Sequence, residues 1–312
     1  MMNRRSFLQG AAAAAVALHT LPLAAKPKPA SALRLTILHT NDTHSHIEPI
    51  EATEHAGLGG VVARAAMLQK LRAEHENLLL LDAGDFLQGT PYFNLFGGKV
   101  ELQAMSQLGY DAGTIGNHEF DGGVGQLASM VQQHANFPIL NCNYDFSDTP
   151  MKGVAREHLV IEKQGLRIGL LGLGIKLEGL VPMKHVGATR YLNPIENAQR
   201  VATHLREEEK CDYVIALSHL NLRSAAETEW TDMPGDRDLV REVPGIDLII
   251  GGHNHWLLPH PESFFRSKER QMGYITQAGW AGTLLGMLQF DIFERDKKEL
   301  AASRSLAVRQ EA

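Results

Sequence analysis

Residues 78–85 read Leu-Leu-Leu-Leu-Asp-Ala-Gly-Asp, four leucines that stop abruptly on two carboxylates. An unbroken apolar run of strand length suits a strand covered on both faces, as in a largely parallel sheet packed between other layers. Upstream, Val61, Ala65, Leu68 and Leu71 recur at helical spacing within residues 60–74, and the apolar run 33–38 also ends in polar residues. The alternation is β-loop-α-β. It continues as a short strand at 111–115, a loop at 116–123 and a helix at 124–133, and residues 137–143 repeat the theme. Residues 195–209 predict a charged amphipathic helix, and strands at 213–217 and 247–250 end at Ser218-His219 and Gly251-Gly252-His253. Lys163-Gln164-Gly165 between the apolar runs 159–162 and 166–172 predicts a hairpin, so the sheet is not purely parallel. Residues 274–277 and 284–292 read as closing strands.

The 312 residues can bury a large core, and 44% hydrophobic with 21% charged residues excludes a disordered, collagen-like or multi-span membrane chain. Thirty Lys and Arg against 36 Asp and Glu give a net charge of −6 without a basic block, which disfavours binding to a nucleic acid polymer. Two cysteines make no disulfide framework; Cys142 and Cys211 flank predicted strands and read as buried free thiols, with a disulfide left open by the oxidising compartment. Residues 169–174 (GLLGLG) lack the dinucleotide-binding spacing and are assigned to strand packing. No GxSxG, HExxH, Walker A or CxxC pattern is present.

Residues 1–25 read as an export signal, with Arg4 and Arg5 ahead of a short Ala-rich apolar run that His19 and Pro22 interrupt. Asn3-Arg4-Arg5-Ser6-Phe7-Leu8-Gln9 resembles the twin-arginine motif, which implies export of a folded protein to a bacterial periplasm. Cleavage after Ala25 or after Ala32, an ordinary secretory signal and an uncleaved anchor stay open, although the core is short for a stable membrane span. Cleavage after Ala25 leaves 28 basic against 36 acidic residues, a net of −8. Residues 26–32 form a linker, and no further linker divides 33–312, which are read as one domain.

Five apolar strands end in loops that offer Asp42, His44, Asp85, Asn117, His118, His219, His253 and His255. Ligands collect beyond the carboxyl ends of strands in open α/β sheets, and a mixed imidazole and carboxylate set suits Zn, Mn, Fe or Co. Asp42-x-His44 and His253-x-His255 are expected to place two side chains on one side of an extended strand exit.

HTNDTH (39–44), GD (84–85), GNHEFD (116–121), SH (218–219) and GGHNH (251–255) resemble, in order, the motifs of the calcineurin-like metallophosphoesterases. More narrowly, they are similar to the catalytic domain of the periplasmic 5'-nucleotidase and UDP-sugar hydrolase family, from about residue 33 to 293. The resemblance implies a four-layer αββα sandwich with two mixed sheets and two divalent metal ions at the sheet edge. By it, Asp42, His44 and His255 bind the first ion, Asn117, His219 and His253 the second, and Asp85 bridges them. Such a pair generates hydroxide at neutral pH for direct attack on phosphorus. His118 and Asp121 match the family's catalytic dyad, the imidazole stabilising the transferring phosphoryl group or leaving oxygen and the carboxylate orienting it. A helix N-cap role for Asp121 also stays open. Glu119 is read as facing solvent or a partner beyond the ligands, His46 as a loop residue, and His39 as closing the first strand.

The family's second domain, which grips the substrate, has no counterpart in the motifs of this chain. Three readings follow: a complete small phosphomonoesterase, with nucleotides as candidate substrates and loops such as 91–96 for recognition; a catalytic half that joins a separately encoded substrate domain; and a metal-binding subunit without turnover. A thiosulfohydrolase of the same superfamily is a further alternative.

Overall fold

A computed structural model describes residues 32–223, 233–266, 271–294 and 297–310. The export signal at 1–25 and linker residues 26–31 lie outside the described residues. The first sheet contains β1 (Leu33–Thr40), β2 (Leu78–Asp82), β3 (Ala112–Thr114), β4 (Ile139–Leu140), β13 (Leu284–Glu294) and β14 (Lys297–Ala307), in the order β14-β13-β1-β2-β3-β4. The second contains β6 (His158–Lys163), β7 (Leu166–Gly174), β9 (Tyr213–His219), β10 (Leu248–Gly251), β11 (Glu262–Arg266) and β12 (Gln271–Thr276), in the order β11-β12-β10-β9-β7-β6. A short ribbon pairs β5 (Tyr144–Asp145) with β8 (Arg190–Tyr191).

Both sheets are mixed. β1 to β4 run parallel, and β13 and β14 close that sheet antiparallel. β7, β9, β10 and β12 run parallel, flanked by antiparallel β6 and β11. The expected hairpin is β6-β7.

The period-two alternation of strands explains the layers. Leu78 and Leu80 of β2 pack with helices α1 (Val61–Glu74), α3 (Lys99–Leu108) and α4 (Val124–His134). Leu79 and Leu81 face the other way, joining Ile168, Leu170, Ile215, Leu217, Leu248 and Ile250 between the sheets. The alternate residues of the second sheet, including Leu171, Val214 and Ile249, meet α6 (Pro194–Glu207) and α7 (Asp236–Glu242). Helix, sheet, sheet, helix is therefore the order of layers, and the leucine run of β2 is apolar throughout because both of its faces are covered. Each fully buried leucine contributes roughly 1.5–3 kcal/mol.

Asn193 caps α6 by accepting from the N–H groups of Ile195 (3.0 Å) and Glu196 (3.3 Å), with Pro194 in the first turn. Residues 91–96, expected as a recognition loop, form the short helix α2 (Pro91–Phe96), capped by Thr90 and ended by Gly97. A further helix, α5 (Met183–Val186), precedes β8. GLLGLG lies in β7, where a Cβ on Gly172 would sit 2.1 Å from the Leu140 carbonyl oxygen. Close approach of backbones requires glycine there. Cys142 and Cys211 are both buried and free.

Candidate metal centre

Because β1, β2 and β3 run parallel, as do β9 and β10, the sequence-predicted residues emerge from carboxyl ends. The loops after β1, β2 and β3 supply Asp42, His44, Asp85 and Asn117; His219 ends β9, and His253 and His255 follow β10. The structure brings all seven together. His255 Nε2 lies 2.9 Å from His44 Nε2 and 3.5 Å from Asp42 Oδ1. His219 Nε2 lies 3.0 Å from Asp85 Oδ2, and His253 Nδ1 lies 3.0 Å from Asn117 Oδ1. Asp85 belongs both to a group with His219 and His253 and to one with His44 and His118.

The route to this convergence differs from the expected extended exits. β1 ends at Thr40, and Asp42, His44, Asp85, His253 and His255 have φ of 50°, 45°, 56°, 75° and 57°, all in the left-handed region. Strand alternation therefore does not aim these side chains; tight left-handed turns do, at a cost of order 1–3 kcal/mol each. Gly116 supplies the room: a Cβ there would lie 2.2 Å from Asp85 Oδ1 and 2.7 Å from His219 Nε2.

Such turns expose backbone N–H groups that must find acceptors. Glu119, 1% exposed, accepts from the N–H groups of Gly116 (2.6 Å), Asp85 (2.9 Å) and Leu87 (3.1 Å). It faces no solvent; it ties the loop after β2 to the loop after β3. Burial, and then Asp85, push its carboxyl up to about 8. Asn41 binds Asp42 Oδ2 and the Gly279 carbonyl, and its own Oδ1 accepts from the Ala278 N–H. Sequence reasoning passes over Asn41, although it stands inside HTNDTH.

His219 provides the test of whether a cation fits. Its Nδ1 lies 2.7 Å from the Ala83 carbonyl oxygen, an atom that only accepts, so Nδ1 carries the proton. In the neutral ring, Nε2 then points a lone pair at the Asp85 carboxylate and has no hydrogen-bond partner. Two acceptors face one another in a site where His219 is fully buried. Burial disfavours the imidazolium, yet Asp85 and Asp42 carry the His219 pKa to about 10, so the pocket takes up a proton when no other cation is present. Burial pushes Asp85 up, and His219 more than reverses this, holding it below the usual carboxylate range. Burial lowers His44 and His253 to about 4, which keeps both neutral and able to ligate. The residues present fit divalent ions.

His118 opens a short 3-10 turn (His118–Phe120), and its Nδ1 lies 2.8 Å from Asp121 Oδ2. That hydrogen bond raises the His118 pKa. The N-cap of α4 is Gly123, so Asp121 does not cap that helix. His46 lies outside the groups of potential ligands among the described residues, with Nδ1 3.1 Å from the Thr43 carbonyl oxygen. His39 is fully buried, its Nε2 3.2 Å from Thr276 Oγ1, and links the two sheets. Trp280, 37% exposed and absent from the sequence-predicted set, stacks on His255 at an interplanar angle of 8°.

Residues 35–257 match the calcineurin-like phosphoesterase family. Over 237 residues the chain is 34% identical to the snake venom 5'-nucleotidase of Gloydius brevicauda, a match covering 73% of this chain and 38% of that protein. It is 32% identical to the 5'-nucleotidase of Vibrio cholerae, covering 71% of this chain and 40% of that one. The crystal structure of the 5'-nucleotidase precursor from Thermus thermophilus superposes with a TM-score of 0.76 at 31% identity, covering 89% of this chain and 55% of that chain. The chain thus spans about two fifths of the length of these two curated relatives.

Proposed function

We propose that this chain, which belongs to the calcineurin-like phosphoesterase family, hydrolyses phosphate monoesters of the 5'-nucleotide class with two divalent ions at the carboxyl ends of its strands. The observation that carries the reading is the buried Asp85 carboxylate lying 3.0 Å from Nε2 of fully buried His219, with His44, His118 and His253 around it. Asp42, His44 and His255 would hold one ion, Asn117, His219 and His253 the other, and Asp85 would be shared. Their mixed oxygen and nitrogen donors suit Mn, Zn, Fe or Co. A divalent pair, when bound, supplies the positive charge that favours water ionisation and in-line phosphoryl transfer at neutral pH.

The chain's own residues do the positioning. Asp121 fixes the His118 ring through Nδ1 and favours its protonated form, leaving Nε2 to stabilise charge on the phosphoryl group or the departing oxygen. Glu119 keeps the two loops that carry Asp85 and Asn117 in register. Trp280 limits rotation of His255 by stacking on its ring.

The Arg4-Arg5 segment supports export through the twin-arginine route to a bacterial periplasm, with residues 33–312 as the catalytic domain. Among the described residues no helix is long and apolar enough to cross a membrane. The matched share of the relatives, 38–40%, favours a second reading in which polypeptide beyond this catalytic region, on the same product or another, grips the nucleoside.

Phosphate release from AMP and from p-nitrophenyl phosphate, with Mn²⁺ added, tests both. Saturable AMP turnover supports a self-sufficient nucleotidase. Turnover of the chromogenic ester alone supports the second reading, and turnover of neither ester, with metal bound, refutes phosphoester hydrolysis.

A further inference from the structure

We propose a separate divalent-metal site formed by His158, His204 and Glu209, where the ion clips the edge strand β6 to the end of helix α6. No residue of β6 or α6 contributes to the carboxyl-end cluster.

His158 opens β6, which ends the second sheet and, among the described residues, pairs only with β7. His204 lies in the last turn of α6, and Glu209 follows that helix by two residues. One potential ligand atom from each of the three lies within 4.8 Å of the others, and all three residues are half-buried. The two imidazoles approach to 4.9 Å between centroids at an interplanar angle of 57°. A tetrahedral ion with bonds of about 2.1 Å separates its ligand atoms by about 3.4 Å, so small side-chain rotations close the site.

The surroundings orient the donors. His204 Nδ1 lies 3.1 Å from Glu208 Oε2, so a neutral ring that donates there presents its Nε2 lone pair, 3.8 Å from Glu209 Oε1. This is the carboxylate–histidine pairing that fixes tautomer and direction in metal ligands. Arg167 Nη2 holds Glu209 Oε2 at 3.0 Å and leaves Oε1 on the side of the histidines. The nearby guanidinium groups are matched: Arg200 binds Glu157 at 2.6 Å, and Arg167 also pairs with Glu162. Two imidazoles with one carboxylate select a borderline cation such as Zn, Ni or Cu over Mg or Ca, which prefer oxygen donors.

The experiment uses the purified chain carrying Asp85→Asn as parent, loaded with Zn²⁺, desalted and analysed for zinc per chain. Adding His158→Ala, or separately His204→Gln, is expected to remove about one zinc per chain and to shrink the zinc-induced rise in Tm. Titration with Co²⁺ is expected to give the visible absorption of a tetrahedral ion, lost in both variants. The same two substitutions in the unaltered chain are expected to leave p-nitrophenyl phosphate turnover unchanged, which shows that the variants fold. Equal zinc content in the parent and both variants overturns the site. Because the readout is a difference within one background, it stands apart from the fate of the carboxyl-end cluster.

Discussion

At the amino ends of the strands, buried Asp247 accepts from the Val214 N–H (2.8 Å) and from Lys298 Nζ (2.7 Å) and pairs with Arg206. At the carboxyl ends, equally buried Asp85 faces imidazoles, with Nε2 of His219 at 3.0 Å. Burial alone would raise both carboxyls, and both are instead held low. Asp247 is held by cations that the chain provides on α6 and β14, tying three elements together. Asp85 is held by a histidine that must take up a proton unless an ion arrives. A buried carboxylate matched within the fold serves stability, whereas one matched only by protonation marks a place for an exogenous charge.

Four substitutions would break or sharpen that contrast. The largest effect is expected from Asp85→Asn, which should lower turnover of p-nitrophenyl phosphate by at least about 10²-fold, more than loss of an outer partner costs. Elemental analysis should show both ions of the carboxyl-end cluster weakened; two tightly held ions there at full activity would sink the shared-ligand role. Asp247→Asn is expected to do the reverse, costing about 3 kcal/mol in urea unfolding with kcat nearly unchanged. Its pH signature has a definite sign. The folded-state pKa of Asp247 lies below its unfolded value of about 3.9, so its contribution is present above that pH and fades as pH falls through the folded value. The variant should lose that acid limb from its stability profile, and an unchanged limb would place the titration elsewhere. Glu119→Gln retains one acceptor oxygen and should reduce kcat by roughly 10- to 100-fold with a small change in KM; wild-type kcat would show that the loops hold without it. Asp121→Asn should have the smallest effect at the pH optimum. Removing the carboxylate lowers the His118 pKa, so the basic limb of kcat/KM moves to lower pH, and a stationary limb would remove His118 from the protonated role.

Legibility in the sequence follows the same division. The carboxyl-end cluster is visible because its residues stand in short motifs at the ends of apolar runs, and the layers are visible because strands covered on both faces leave unbroken apolar stretches. Direction is not legible at Asp42-x-His44, where the expected extended exit gives way to left-handed turns, since a spacing of two says nothing about such a turn. Glu119 can be placed only by counting the N–H groups that such turns leave without acceptors. Helices α2 and α3 escape the periodicity although Thr90-Pro91 and Gly97-Gly98 punctuate them. β14 alternates polar and apolar residues too weakly to stand out, and His158, His204 and Glu209 share no spacing, because only the packing of α6 beside β6 joins them.

The pairing of Leu33 with Ile292 places β1 inside the first sheet, between β2 and β13. During synthesis, β1 to β4 therefore emerge with one flank of β1 bare, and this open edge persists until β13 leaves the ribosome. Closing so long a loop is slow, and its reward comes only when β13 pairs with β1. Asp42 and Asp85 must wait in the same way for His219, His253 and His255. Ion capture then becomes a late event that follows the assembly of both sheets rather than a seed around which the nascent segments organise.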